Sequence, residues 1–105
     1  NTSSVLGTKV RANAGTYSAT KYAVEALSEA MRLELADTNV KVTCIEPGLV
    51  MTDLHDHFEV HPKDVIGLEE PLQPVDIARI VLYVATQPAH VLVPKVMVLP
   101  KHNAI

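Results

Sequence analysis

Hydrophobic and polar positions recur along the chain in a pattern that predicts two helices. Between residues 16 and 36, small and apolar side chains return at spacings of three and four, which is typical of an amphipathic helix with one inner stripe. The residues of this stripe are Ala19, Ala23, Ala26, Leu27, Ala30 and Leu33. Val24, Met31 and Leu35 lie off the stripe. This second apolar strip predicts a further packing partner for the helix, such as another subunit.

Strands are predicted on both sides of this helix. The small, polar residues 1–8 are typical of the exit from a strand into a loop. β-Branched residues between Val40 and Ile45, followed by Pro47 and Gly48, indicate a strand that enters a turn. Two further strand candidates are the short apolar runs at 91–93 and 96–99.

A second helix is predicted over residues 75–85, with Pro74 at its first position and Asp76 in its first turn. Its apolar residues surround much of the circumference, so we expect this helix to be well buried. Between Pro47 and Gln73 no periodicity holds. So long an irregular segment in a compact domain is typical of a lid or a binding loop.

The order of these elements is strand end, helix, strand, loop, helix, strand, which is the rhythm of βαβ crossovers in a parallel sheet. It predicts an α/β fold. Two full strands do not make a parallel sheet that stands alone. The chain also opens abruptly on Asn1. We therefore expect residues 1–105 to be the C-terminal portion of one larger doubly wound domain of the Rossmann type.

Composition narrows the classes of function. The chain has 105 residues, 48% of them hydrophobic, and a net charge of −3 without a run of Lys or Arg, so nucleic acid is not an expected partner. No apolar run approaches the roughly 20 residues that cross a bilayer, so no membrane partner is expected. The single cysteine, Cys44, excludes an internal disulfide. We expect it to be a small core residue in a reducing compartment, the cytoplasm.

Tyr17 and Lys21 are four residues apart, so they project from one face of the first helix, about one turn apart. A free tyrosine does not act as a base near neutral pH, because its ordinary pKa is about 10. An adjacent ammonium favours the phenolate and makes the tyrosine a usable general acid and base. The hydroxyl of Ser4, thirteen residues before Tyr17, could return to the same pocket. Such a set suits proton transfer coupled to hydride transfer.

The wider sequence around these residues resembles that of the short-chain dehydrogenase/reductase family. It contains Ser3-Ser4, then the segment YSATKYAV over 17–24, and then EPGLVMT over 46–52. This order and spacing match the family pattern of Ser, Tyr-x-x-x-Lys, a helix rich in small residues, a strand and Pro-Gly-x-x-x-Thr. The resemblance covers essentially the whole chain.

The resemblance implies an oxidoreductase that interconverts a secondary alcohol and a carbonyl with NAD or NADP. Tyr17 corresponds to the catalytic acid and base, and Lys21 to its partner, which also holds the nicotinamide ribose. Ser4 corresponds to the serine that orients the substrate, while Ser3 supports the loop. Further positions implied to contact the cofactor are Pro47, Gly48, Val50 and Thr52.

The segment between Asp53 and Gln73 corresponds to the family's variable substrate loop. His55 and His57 in this loop are candidates for substrate contact, although solvated loop histidines are the simpler interpretation. Their spacing fits no standard zinc site, so no metal is expected. The C-terminal sequence over 86–100 resembles that of the NADP-using, serine-type hydroxy-acid dehydrogenases. This resemblance favours NADP slightly over NAD as the cofactor.

The chain also departs from the family pattern. The Gly-x-x-x-Gly-x-Gly turn that seats the pyrophosphate does not occur in it. Asn13-Ala14-Gly15 copies another family triplet by letter only, and its position just before Tyr17 indicates a loop. We therefore expect the 105 residues alone to be inactive. The alternative is a catalytically incompetent piece that serves as a structural or oligomerising module. In either case the helix over 16–36 predicts a homo-oligomer, a dimer or tetramer.

Overall fold

The structure is a computed structural model and describes residues 1–50 and 71–102. Within these ranges it contains a short 3₁₀ turn, two α-helices and two β-strands. In chain order they are the 3₁₀ turn Val5–Gly7, α1 at Gly15–Glu34, β1 at Cys44–Pro47, α2 at Pro74–Ala85 and β2 at Lys95–Val98. This order agrees with the predicted one.

β1 lies between two parallel neighbours. On one side it pairs with β2, and Cys44 lies opposite Lys95. On the other side the first residues of the chain add a short parallel bridge, in which the Ser3 amide donates to the Ile45 carbonyl at 2.8 Å. The Ile45 amide in turn donates to the carbonyl of Asn1 at 2.9 Å. The predicted α/β fold with a parallel sheet is confirmed, as is the predicted strand exit at the start of the chain.

Two strand predictions need correction at their boundaries. Residues 40–43 are not part of β1, and residues 91–93 form no strand. The register explains both differences. If the ladder extended one step further before the pair of Cys44 and Lys95, the backbone nitrogen of Pro94 would have to donate a hydrogen bond to the Val42 carbonyl. Proline carries no N–H, so this bond cannot form. The ladder therefore starts at Cys44, whose amide donates to the Pro94 carbonyl at 2.9 Å.

α1 occupies almost the predicted range, but it buries the opposite face. Ser18, Glu25 and Ser28 are its buried residues, whereas Leu27 is 64% exposed and Leu33 61% exposed. The predicted inner stripe is therefore an outer stripe among the described residues. Beneath α1 lie the buried 3₁₀ turn Val5–Gly7 and the polar side chain of Asn1, which donates through Nδ2 to Ser28 Oγ at 2.6 Å. Ser28 therefore finds a hydrogen-bond partner on this face of the helix, whereas the apolar stripe faces away from it.

α2 begins as predicted, with Pro74 in its first turn and a capping box in which the Gln73 amide donates to Asp76 Oδ2 at 2.8 Å. The expectation that this helix is well buried is wrong for the part of the chain that is described. None of its residues is buried, and Leu82 is exposed. Ile80 and Val84 are half-buried. No part of the helix is fully buried because residues 1–50 and 71–102 form no layer that covers the rest of its apolar circumference.

Candidate active site

The candidate catalytic residues lie at one edge of the sheet. Because parallel strands share a direction, the carboxyl ends of the first segment and of β1 meet at the same edge. Ser4 follows the first segment, and Pro47 is the last residue of β1. Lys21, on α1, donates through Nζ to the backbone carbonyl of Thr2 at 3.5 Å. This contact brings the start of the helix to the loop that holds Ser4.

Tyr17 and Lys21 lie on consecutive turns at the start of α1, as the spacing predicts. Lys21 Nζ lies 5.6 Å from the centroid of the Tyr17 ring, within cation–π range. Tyr17 is 49% exposed, and its ring is therefore open to solvent on one side. The arrangement presents a phenol and an ammonium together at an accessible surface.

Ser4 is held in place by the turn that it caps. It has an extended backbone before the 3₁₀ turn, and its Oγ accepts a hydrogen bond from the Leu6 amide at 3.1 Å. Ser4 is buried, as is Ser3 beside it. A hydroxyl that accepts at its oxygen keeps its own proton for donation. Ser4 can therefore still donate to a substrate oxygen from a fixed position.

The turn after β1 packs tightly against the residues that follow β2. Gly48 donates its amide to the Val98 carbonyl at 2.8 Å. A Cβ at Gly48 would lie 3.0 Å from Pro100 Cδ and 3.2 Å from Leu99 Cδ2. Val50, also in this turn, forms an isolated parallel bridge with Leu72. The other predicted site residues of this region, Thr52, His55 and His57, lie outside the described residues.

A polar cluster beneath α1 was not anticipated from the sequence. It contains the buried carboxylates of Glu25 and Glu46, and Lys95 Nζ lies 3.9 Å from Glu25 Oε2. The sequence carries a partial signal, since strand alternation places Glu46 on the same face as the buried Cys44. Burial raises the pKa of the Cys44 thiol, and the negative charge of Glu25 adds to this effect. Cys44 is thus a buried thiol, as predicted.

A cleft of about 530 Å³ opens on the other face of the sheet. Thr43 and Ile45, which alternate with the residues that face α1, line it together with Val81 and Val84 of α2. Neither Tyr17 nor Lys21 contributes to it. The cleft is therefore separate from the candidate active site.

Residues 1–50 and 71–102 contain neither a metal-binding cluster nor a membrane-spanning helix. No three His, Cys, Asp or Glu side chains come close enough together there to hold a metal ion. Neither α1 nor α2 is long and apolar enough to cross a membrane.

Comparison with known proteins identifies the family of the chain. Residues 1–62 match the family model of the short-chain dehydrogenases. An uncharacterized oxidoreductase of Staphylococcus aureus strain MW2 is 42% identical over 100 residues, which is 95% of this chain and 41% of the relative. The human dehydrogenase/reductase SDR family member 11 is 41% identical over 92 residues, covering 80% of this chain and 35% of that protein. The chain therefore belongs to the short-chain dehydrogenase family.

Solved structures of dehydrogenases have the same fold. The closed form of a serine dehydrogenase complexed with NADP⁺ superposes with a TM-score of 0.82 and 31% identity, over 92% of this chain and 41% of that one. A 3-ketoacyl-(acyl-carrier-protein) reductase from Brucella melitensis complexed with NADH superposes with a TM-score of 0.79 and 25% identity, over 96% of this chain and 42% of that one. The chain thus spans about two-fifths of the length of the proteins that it resembles.

Proposed function

We propose that the protein is an NAD(P)-dependent oxidoreductase that interconverts a secondary alcohol and a carbonyl. The observation that carries the proposal is the placement of Tyr17 and Lys21 at the sheet edge where Ser4 is fixed. Membership of the short-chain dehydrogenase family supports general oxidoreduction. In this proposal residues 1–105 supply the catalytic and substrate-binding part of the domain.

Tyr17 is the proposed general acid and base. In reduction its hydroxyl donates a proton to the developing alkoxide, and in oxidation its phenolate removes the proton of the alcohol. The Lys21 ammonium lies 5.6 Å from the centroid of the Tyr17 ring, beside the proposed acid and base. Ser4 donates a hydrogen bond to the substrate oxygen and holds it near the Tyr17 hydroxyl. A positioned acid of this kind contributes roughly 10²- to 10⁴-fold to the rate.

A bound nicotinamide would supply or accept the hydride in this reaction. The residues present fit such a group at Lys21, since its ammonium has three donors and the Thr2 carbonyl engages only one of them, at a long 3.5 Å. Within residues 1–50 and 71–102 the other donors have no partner, and in this proposal they hold ribose hydroxyls. Gly48 gives no independent support for a cofactor site, because a Cβ at this position would meet Leu99 and Pro100 of the chain itself. Solved relatives contain NADP⁺ or NADH. Our slight preference for NADP over NAD is a prediction.

The substrate proposal is a small molecule with a carbonyl or secondary alcohol, with His55 and His57 as candidate contacts. The protein is further proposed to act in the cytoplasm. This location is consistent with the single free cysteine, Cys44, which is buried.

The proposed assembly is a homo-oligomer formed through α1. The apolar stripe that faces outward, with Leu27 and Leu33 exposed, supports this proposal, because contiguous exposed apolar surface is typical of interfaces. The same stripe favours the second candidate function, an oligomerising module without catalysis. The two candidates differ in what they require of Tyr17 and Lys21.

Cofactor binding separates the two candidates. NADPH and NADH are titrated by fluorescence into the full-length gene product, into residues 1–105 alone, and into full-length Lys21→Met. We expect binding by the full-length product, weaker binding after Lys21→Met and none by residues 1–105 alone. The control is Lys9→Met, which removes an exposed lysine outside α1. Equal affinity of wild type and Lys21→Met would contradict the proposed role of Lys21, and no binding by any form would favour the module.

A further inference from the structure

Glu25 and Glu46 bury their side chains where α1 packs on β1, and the proposed reaction uses neither of them. Glu25 is 8% exposed and Glu46 is 3% exposed. Both carboxylate oxygens of Glu25, and Oε2 of Glu46, have no hydrogen-bond partner among the described residues. Ionised carboxylates only accept hydrogen bonds. Two of them facing each other away from water are satisfied only when one retains a proton.

The groups that face the pair come from several elements. Lys95, on β2, is the cation that acts on both carboxylates, and its Nζ lies 3.9 Å from Glu25 Oε2. Ser3 and Cys44 present a hydroxyl and a thiol to the Glu25 carboxylate. Among the described residues, one positive charge therefore stands against two carboxylates. If the two carboxylates carry a single proton between them, their net negative charge is equal in magnitude to the positive charge of Lys95.

The electrostatics assign this proton to Glu46. Removal from water raises the pKa of Glu46 to about 7, and the neighbouring Glu25 carboxylate acts in the same direction, while the charge of Lys95 opposes them. Burial also tends to raise the pKa of Glu25. There, however, the neighbouring Glu46, Ser3 and Cys44 side chains, together with the charge of Lys95, outweigh burial and lower the pKa of Glu25. Glu25 is thus the charged member and Glu46 the protonated one.

The pair connects the three segments that carry the candidate site. Ser3 Oγ and the Cγ of Glu25 lie only 2.6 and 3.0 Å from where a Cβ on Gly7 would be, so Glu25 is packed under the turn that follows Ser4. Glu25 also lies one turn beyond Lys21 on α1. Glu46 directly precedes Pro47, where β1 ends.

We propose that Glu25 and Glu46 share one proton and act as a positioning pair, which holds the helix of Tyr17 and Lys21 against the strand that ends at Pro47. Its effect on catalysis rests on the proposed function, whereas the shared proton does not. When the proton leaves, two buried negative charges repel each other across the contact between α1 and β1. The alignment of the acid and base with the rest of the site then weakens.

The proton is measured by infrared spectroscopy of the full-length gene product as a function of pH. A protonated carboxylic acid absorbs apart from carboxylates, and we expect an acid band that disappears as the pH rises through about 7. Glu46→Gln keeps a donor at this position and removes the band. Glu34→Gln, which changes an exposed glutamate of the same helix, leaves it intact. A band of equal intensity in Glu46→Gln at pH 6 would overturn the shared proton.

Positioning is measured through the pH profile of kcat for carbonyl reduction. The ratio of kcat for Glu46→Gln to kcat for wild type should rise severalfold between pH 6 and pH 8.5, because the amide cannot lose its donor. If Glu46→Gln fails to fold, Glu25→Gln supplies an amide donor from the opposite side, and the same two measurements apply. Parallel profiles for wild type and variant would refute the positioning role. Full activity of Tyr17→Phe with a normal acid band would refute only the proposed function.

Discussion

The ammonium of Lys21 donates to the backbone carbonyl of Thr2 at 3.5 Å, across 19 residues of sequence. This contact joins the helix that carries Tyr17 to the segment that leads into Ser4. A local pair on one helix thereby becomes part of a site that spans two segments of the chain.

Replacing Tyr17 with phenylalanine should abolish most of the carbonyl reduction without changing the fold. The ring and its contact with Lys21 remain, and only the hydroxyl that transfers the proton is lost. We expect kcat to fall by roughly 10²- to 10⁴-fold. Steady-state kinetics measure the loss, and circular dichroism checks the fold. Tyr22→Phe, at another exposed tyrosine of α1, is the matched control and should keep wild-type activity. Similar losses in both variants would exclude a specific role for Tyr17.

Gly7→Ala should destabilise the turn that follows Ser4. Its new methyl group would lie 2.6 Å from Ser3 Oγ and 3.1 Å from the backbone carbonyl oxygen of Lys21, so the buried Ser3 side chain or the turn must move. Overpacking of this kind costs about 1–3 kcal/mol of unfolding free energy. Denaturant unfolding measures it. Gly15→Ala is the control, because a Cβ there meets nothing within 4 Å, and it should be neutral or slightly stabilising. Equal stability of the two variants would show that the turn accommodates a side chain.

Glu46 should make stability depend on pH between about 4.5 and 7. Its pKa is higher in the folded than in the unfolded protein, so in this range the folded state holds a proton that the unfolded state has released. The contribution of Glu46 to stability is therefore complete below about pH 4.5 and is lost as the pH rises to about 7.

Glu46→Gln should remove this dependence. Relative to wild type it should gain roughly 1–3 kcal/mol of unfolding free energy between pH 4.5 and pH 8. Thermal unfolding across this range gives the difference, with Glu34→Gln as the control for losing a carboxylate from the protein. A constant difference between wild type and Glu46→Gln at every pH would refute the assignment of the proton to Glu46.

Leu27→Glu should dissociate the proposed oligomer. Leu27 is 64% exposed on the outer stripe of α1, and a charge buried in an interface formed there would weaken association by about 2 kcal/mol or more. Light scattering after size-exclusion chromatography measures the mass. Val10→Glu introduces the same charge at a residue that is 69% exposed but outside α1, and should leave the mass unchanged. Monomeric wild-type protein would contradict the assembly itself.

The sequence by itself determined the local features of this protein. The helix with Tyr17 and Lys21 follows from spacings of three and four, and the start of α2 follows from Pro74 and Asp76. These signals act within one or two turns of chain, so no distant residue is needed to interpret them. The family resemblance depends on the same short stretches, which is why it could be found without a structure.

The tertiary structure decided which surfaces meet. Periodicity showed that α1 has two unlike faces, but only the polar partners beneath it, such as Asn1, determined that Ser28 is buried and Leu27 is exposed. The pairing of Glu25 with Glu46 likewise depends on the packing of a helix against a strand, and the two residues are 21 positions apart in sequence. Contacts between distant segments depend on the positions of both, and no local pattern in either segment contains that information.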